Sequence, residues 1–205
     1  MFQARIHGRG SQGVVTAAEM LSVAAFDEGR HAQAFPSFGS ERTGAPVVAF
    51  CRIDDREIRM PGPVMQPVAL IIQDPTLLHQ VDVFAGLKPR GHILINTNKS
   101  FAALGLGDFL KDWPPERLCT LSASDLGQKH IGRPMPNVPL LGGFAAVSGE
   151  IKLSSVIMAI NDRFSGKLAS GNAAAATEAF DIVRAEMDEA RRHGTQGTQN
   201  EAKHA

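Results

Sequence analysis

The chain has 205 residues and a mass of 21.9 kDa, enough for one well-filled core or at most two small ones. Lys plus Arg is 21 and Asp plus Glu is 21, so the net charge is zero, which excludes a general basic field for gathering nucleic acid or anionic lipid. With 43% hydrophobic residues, 20 glycines and 12 prolines, the composition is globular rather than disordered or collagen-like.

Two cysteines, Cys51 and Cys119, are too few for the four protein ligands of an iron–sulfur cluster, and no paired-cysteine zinc motif occurs. Both lie in apolar strand candidates and read as core residues. The N-terminus MFQARIHGRG lacks an apolar leader, and no run approaches the roughly eighteen apolar residues of a membrane span, so a cytoplasmic location is the expectation. Tyrosine is absent and tryptophan occurs once, which weakens any expectation of base stacking.

In chain order, Phe2–His7 is a short strand, Gly8–Gly13 a glycine-rich turn and Val14–Glu28 a helix whose apolar positions recur every three or four residues. His31–Phe35 is a second strand, stopped by Pro36. Pro36–Pro46 reads as an ordered loop. Val47–Ile53 and Arg56–Met60 read as two strands around Asp54–Asp55, necessarily antiparallel because so short a link cannot cross over, and the sheet is therefore mixed. Val68–Gln73 is apolar almost throughout, as in a strand covered on both faces. Asp74–Pro75 then starts a helix over Thr76–Phe84. Gly91–Thr97 and Arg117–Leu121 are further strands, Lys99–Lys111 is a further helix, and Ser124–His130 follows the last strand without an assigned period. Leu140–Val147, Leu153–Phe164 and Ala173–Arg192 are three more helices, broken at Gly149, Gly166 and Gly171. The expected fold is a three-layer Rossmann-like α/β domain over residues 1–192, with a mixed, mostly parallel sheet and a helical C-terminal third. Residues 193–205 read as a polar, disordered tail.

Gly8, Gly10 and Gly13 form G-x-G-x-x-G between a strand and a helix, where free N–H groups and the positive helix end favour an anion. Ser11 adds a hydroxyl and Arg9 a cation. The acid that a dinucleotide site places at the end of the second strand is missing, because that strand ends Ala34–Phe35–Pro36. Three readings stay open: a phosphate-bearing ligand, a nicotinamide or flavin dinucleotide, or a turn whose glycines permit close packing. No Walker A lysine, HExxH or G-x-S-x-G elbow occurs, and no catalytic residue is assigned. Phe35–Ala45 (FPSFGSERTGA) places Glu41 and Arg42 in a loop suited to recognition or subunit docking, and Arg42 suits a phosphate or carboxylate. His31 reads as a plain strand residue. Asn96 and Asn137 stand where amides cap backbones or meet a ligand.

Taken together, RIHGRGSQGVVTAAEML (Arg5–Leu21), QAFPSFGSERTGAPVVAFCRIDD (Gln33–Asp55), DPTLL (Asp74–Leu78), GLKPRGHILINT (Gly86–Thr97) and GRPMPNVPLLGGFA (Gly132–Ala145) resemble the gamma subunit, or equivalent domain, of the 2-oxoacid:ferredoxin oxidoreductases, especially the pyruvate type. The likeness runs from about residue 3 to about residue 185. It implies a subunit of an enzyme that converts a 2-oxoacid and coenzyme A to acyl-coenzyme A, carbon dioxide and two electrons. It implies a ligand region at Gly8, Arg9, Gly10, Ser11, Gln12, Gly13, Phe38, Gly39, Ser40, Glu41, Arg42 and Asn137, with coenzyme A contacted there. The implied partners are alpha- and beta-type subunits carrying thiamine diphosphate with magnesium, a ferredoxin-like delta subunit with 4Fe–4S clusters, and in some complexes an NAD-linked flavin subunit. The isolated chain is expected to be inactive. A purely structural scaffold and an NAD- or FAD-binding dehydrogenase domain are the rival readings. Four positions depart from the family pattern: Ser11 for a glycine, Thr43 for a basic residue, Val68 for Asp and Gln73 for an apolar residue.

Overall fold

The computed structural model describes residues 1–37 and 44–201, with side chains as far as Arg192. Six strands form one sheet: β1 (Phe2–Arg9), β2 (His31–Pro36), β3 (Pro46–Asp54), β4 (Ala69–Ile72), β5 (His92–Asn96) and β6 (Leu118–Leu121). Their order across the sheet is β2-β3-β1-β4-β5-β6. β1, β4, β5 and β6 pair in parallel, with Ala4 opposite Ala69 and Ile71 opposite Leu94, whereas β3 runs antiparallel to both β1 and β2. The sheet is mixed and mostly parallel, as expected, but the reversed strand is β3 against its outer neighbours.

Arg56–Met60 forms no strand, which corrects the expected pairing with Val47–Ile53. Pro61, Pro63 and Pro67 follow it without the N–H groups that would extend a ladder, and the carbonyls of Met60, Gly62 and Pro63 turn to Arg52 instead. Arg52, 1% exposed, holds this segment in place. Its guanidinium donates to the carbonyls of Met60 (3.3 Å), Gly62 (2.8 Å) and Pro63 (3.2 Å) and to the side-chain oxygens of Gln3 and Gln33 (both 3.2 Å). A buried charge with all its N–H groups satisfied is tolerable, and one without them is not.

Alternation along each strand sorts the core. Ala4, Ile6, Ala49, Cys51, Ile71, Leu94 and Leu121 face a layer of long helices, α1 (Val14–Asp27), α4 (Asn137–Ser148), α5 (Leu153–Arg163) and α6 (Gly166–Glu201). Ile72, Ile93 and Ile95 face the other way, onto Leu77, Val83 and Leu110. That second layer is thin. The expected helix Thr76–Phe84 is only a 3-10 turn over Pro75–His79, and the chain beyond it presents the carbonyls of Val83 (2.8 Å) and Ala85 (2.6 Å) to the Arg5 guanidinium. The expected helix Lys99–Lys111 is reduced to α2 (Gly107–Leu110), preceded by Gly105 at φ 76°, a conformation no helix continues through. The remaining short helix, α3 (Ala123–Ile131), follows β6 in the segment that the sequence pattern leaves unassigned.

α4 is buried along its whole length, so no polar stripe marks its ends; it begins at Asn137, three residues before the apolar pattern suggested. Gly171 does not break a helix. It lies inside α6, where a Cβ would stand 2.6 Å from the His130 carbonyl, so its role is close packing against α3. α6 continues to Glu201, beyond the point where its apolar repeat ends.

Candidate functional site

β1 ends at the glycine turn, and three features give the turn its shape. Gly8 lies so close to α1 that a Cβ there would meet Val14 Cγ2 at 2.6 Å. Gly13, at φ 70°, caps α1 and leaves the space of its missing Cβ to the Asn137 amide, whose Nδ2 donates to the Gly13 carbonyl at 3.4 Å. Ser11 also adopts a left-handed backbone, φ 74°, which explains physically why glycine suits that position. The N-termini of α1 and α4 therefore meet at one point. Neither carries a side-chain cap, so the first-turn N–H groups of α1 and, since Pro139 has none, those of Asn137 and Val138 in α4 lack a side-chain partner.

Two of the turn's three polar side chains, Arg9 and Gln12, are held by neighbouring groups. Gln12 accepts from the Arg9 amide (2.8 Å) and donates to Asp74 Oδ2 (3.1 Å). The Arg9 guanidinium donates to Asp74 Oδ2 (3.0 Å), Thr76 Oγ1 (2.6 Å), Gln80 Oε1 (2.9 Å) and the Gly44 carbonyl (3.1 Å), which leaves one of its five N–H groups free. Burial raises the Asp74 pKa, but Thr76, Gln12 and Arg9 more than offset that and hold the carboxyl below its usual range. The same contacts bring in the second motif. Gly10 N–H donates to the Ala45 carbonyl at 2.9 Å, so the end of the Phe35–Ala45 segment lies against the glycine turn. Phe38, Gly39, Ser40, Glu41 and Arg42 lie outside the described residues.

Beside the turn opens a cleft of about 530 Å³. Gly10, Ser11, Gly13 and Asn137 form its polar floor, and Val15, Ile131, Met135, Phe164 and Leu168 its apolar wall. Arg133 and Arg163 stand at its rim, and Asn172, 3% exposed, reaches it from α6. Sequence reading missed these last three, since each is an ordinary polar residue until α3, α5 and α6 converge on α1. The arrangement suits a ligand with an anionic group for the helix ends and an apolar or ring-bearing body for the wall.

Beneath the turn, Gln73 is fully buried and neither amide atom has a partner, although its own carbonyl accepts from Asn96 (2.8 Å). Asn96 also accepts from the Ser124 amide (3.1 Å), so it caps the start of α3. β3 lies between β1 and β2, which moves the end of β2 one strand spacing, about 5 Å, further from the turn than adjacent pairing would. With no acid at that end either, the geometry argues against a dinucleotide ribose contact. Cys51 is buried, its thiol pushed up to about 12, and Cys119 is buried against Glu186, its pKa likewise raised. Among the described residues no His, Cys, Asp and Glu side chains cluster as metal ligands, and no helix is long and apolar enough to cross a membrane.

Comparison with known proteins bears on the fold and the subunit type. The family model described as pyruvate ferredoxin/flavodoxin oxidoreductase matches residues 3–182. The common gamma subunit of the pyruvate/ketoisovalerate oxidoreductases of Pyrococcus abyssi is 46% identical over 181 residues, covering 88% of this chain and 96% of that one. The crystal structure of pyruvate oxidoreductase subunit PORC from Thermotoga maritima superposes with a TM-score of 0.75 at 33% identity, covering 88% of this chain and 95% of that one. The 2-oxoglutarate:ferredoxin oxidoreductase of Magnetococcus marinus, solved with 2-oxoglutarate, coenzyme A and succinyl-CoA, shares the fold at a TM-score of 0.64 and 17% identity. There the matched part is 31% of a longer chain.

Proposed function

Since this chain belongs to the pyruvate ferredoxin/flavodoxin oxidoreductase family as a gamma-type subunit, we propose that it works inside a thiamine-diphosphate-dependent 2-oxoacid:acceptor oxidoreductase and helps to hold coenzyme A. In that reaction a 2-oxoacid and coenzyme A become acyl-coenzyme A, carbon dioxide, a proton and two electrons. Thiamine diphosphate, when bound on alpha- and beta-type partners, stabilises the carbanion left by decarboxylation, and 4Fe–4S clusters on a delta-type partner carry the electrons away. The contribution of this chain is binding and orientation.

The observation that carries the reading is the meeting of two uncapped helix N-termini beside a cleft with an apolar wall. The N–H groups at Gly13–Val15 and at the start of α4 would face a phosphate, Arg133 would supply charge from the rim, and Arg42, matched by the family motif, would add a second guanidinium. Ile131, Met135 and Phe164 would cover the less polar part of the ligand and exclude water from it. Ser11 and Gln12 shape the turn, and Arg9 ties it to Asp74. That tie also suits the scaffold reading, in which the turn only braces the subunit.

One experiment separates the two. In the assembled complex, Arg42→Ala and Arg133→Ala are each expected to raise the apparent KM for coenzyme A roughly tenfold while leaving that for the 2-oxoacid within about twofold. An intact complex whose two KM values are both unmoved would leave only the scaffold role.

A further inference from the structure

The opposite end of the sheet, where β1, β4, β5 and β6 begin, holds a second hollow of about 470 Å³. Its cations divide into two groups. Arg30 is neutralised by Glu150 (2.6 Å) and Asp55 (3.0 Å), and the Met1 ammonium by Asp54 (3.1 Å). Lys88, Arg90 and Arg117 also line the hollow, and none of them has a carboxylate within ion-pair distance among the described residues. Glu116 is the remaining acid nearby, felt at His92, which burial beside Arg117 keeps neutral with a pKa lowered to about 4. Five cations here stand against four carboxylates, and Lys88, Arg90 and Arg117 are the cations around this concavity that make no direct ion pair with a described residue.

The geometry of the rim is specific. Lys88–Gly91 is a tight turn closed by the Gly91 N–H on the Lys88 carbonyl at 3.1 Å, with Pro89 second and Arg90 third. Arg90 has φ 62°. The third position of such a turn favours glycine, and an arginine there carries backbone strain that glycine would not. Strain retained in a residue of this kind points to a use for its side chain. The Arg117 guanidinium donates to the Arg90 carbonyl at 2.6 Å, which fixes the two cationic residues side by side.

We propose that this hollow is a second anion site, taking a compact oxyanion, either a phosphate or a polycarboxylate, between Lys88, Arg90 and Arg117. It lies at the other end of the strands from the glycine turn and is independent of the coenzyme A reading. The mutual repulsion of three unpaired cations is relieved when a multiply charged oxyanion enters, and two guanidinium groups offer it forked hydrogen bonds.

The test uses the full chain, labelled with nitrogen-15, titrated at low ionic strength with inorganic phosphate and separately with citrate. Saturable shifts are expected at the amides of Lys88, Arg90, Gly91, His92 and Arg117, and the probe that saturates identifies the class. Arg90→Gly, which the turn accommodates without strain, and Lys88→Gln are each expected to weaken binding roughly fivefold, and added sodium chloride to weaken it further. Glu150→Gln, by removing the one carboxylate that lines the hollow while Arg30 keeps Asp55, is expected to tighten it. The proposal is overturned if neither probe saturates, if shifts are confined to Gly10–Val14, or if Arg90→Gly and Lys88→Gln leave the affinity unchanged.

Discussion

His7 and Gln73 show how much of this molecule turns on single buried polar groups. The Arg5 guanidinium donates Nε–H to His7 Nε2 at 3.0 Å, so that nitrogen must keep its lone pair and the ring is neutral with its proton on Nδ1. Burial and the Arg5 charge lower its pKa to about 3, and burial beside Arg117 lowers that of His92 to about 4. In the unfolded chain both titrate near about 6.5. Below that pH the unfolded state binds protons that the native state refuses, so stability falls as pH drops from about 6.5 toward about 4. Urea midpoints measured across that range should decline steadily. His7→Gln, whose amide oxygen still accepts from Arg5, should remove up to about 1.4 kcal/mol per pH unit of the slope. An unchanged slope would mean that His7 is protonated in the native state. Gln73 was legible as a departure from the family pattern, but sequence could not say that its amide is buried with both atoms unpartnered.

Among the elements, the pair α4 and α6 depends on contact closer than side chains allow. A Cβ on Gly142 would overlap the Ala176 carbonyl, so the two backbones pack directly. In an exposed helix glycine to alanine stabilises by about 1 kcal/mol. Here Gly142→Ala should instead destabilise by about 1–3 kcal/mol, read as a lower denaturant midpoint, because the helices must separate. A rise in the midpoint would show that α4 can shift without loss. Element by element, periodicity located the parallel strands and the long helices well, since these bury continuous apolar rows. It failed where buried arginines hold the chain in irregular paths: Arg52 takes the carbonyls of Met60, Gly62 and Pro63, and Arg5 those of Val83 and Ala85. These contacts span eight to eighty residues, and the longer of them no local window registers. For the site, the glycine turn and Asn137 were legible and do meet. Arg133, Arg163 and Asn172 became visible only once four helices were placed around the cleft.

As a whole molecule, the chain is a single α/β body whose neutral charge conceals local order. One end of the sheet presents two helix N-termini and a cleft, and the other gathers Lys88, Arg90 and Arg117. Among the described residues no His, Cys, Asp and Glu side chains cluster as metal ligands. The two free cysteines, both buried, suit a core better than a redox centre. The central proposal is that this gamma-type subunit binds and orients while partner chains carry the reactive groups. It is tested most directly by isolating the tagged full chain from its own cells and measuring the intact mass, cofactor content and 2-oxoacid oxidation of what is recovered, beside the same chain produced alone. The account predicts an assembly several times heavier than 21.9 kDa, containing thiamine diphosphate and iron and oxidising a 2-oxoacid, and no activity in the lone chain even with thiamine diphosphate added. Recovery only as a lone chain, or decarboxylation by that chain unaided, would contradict it.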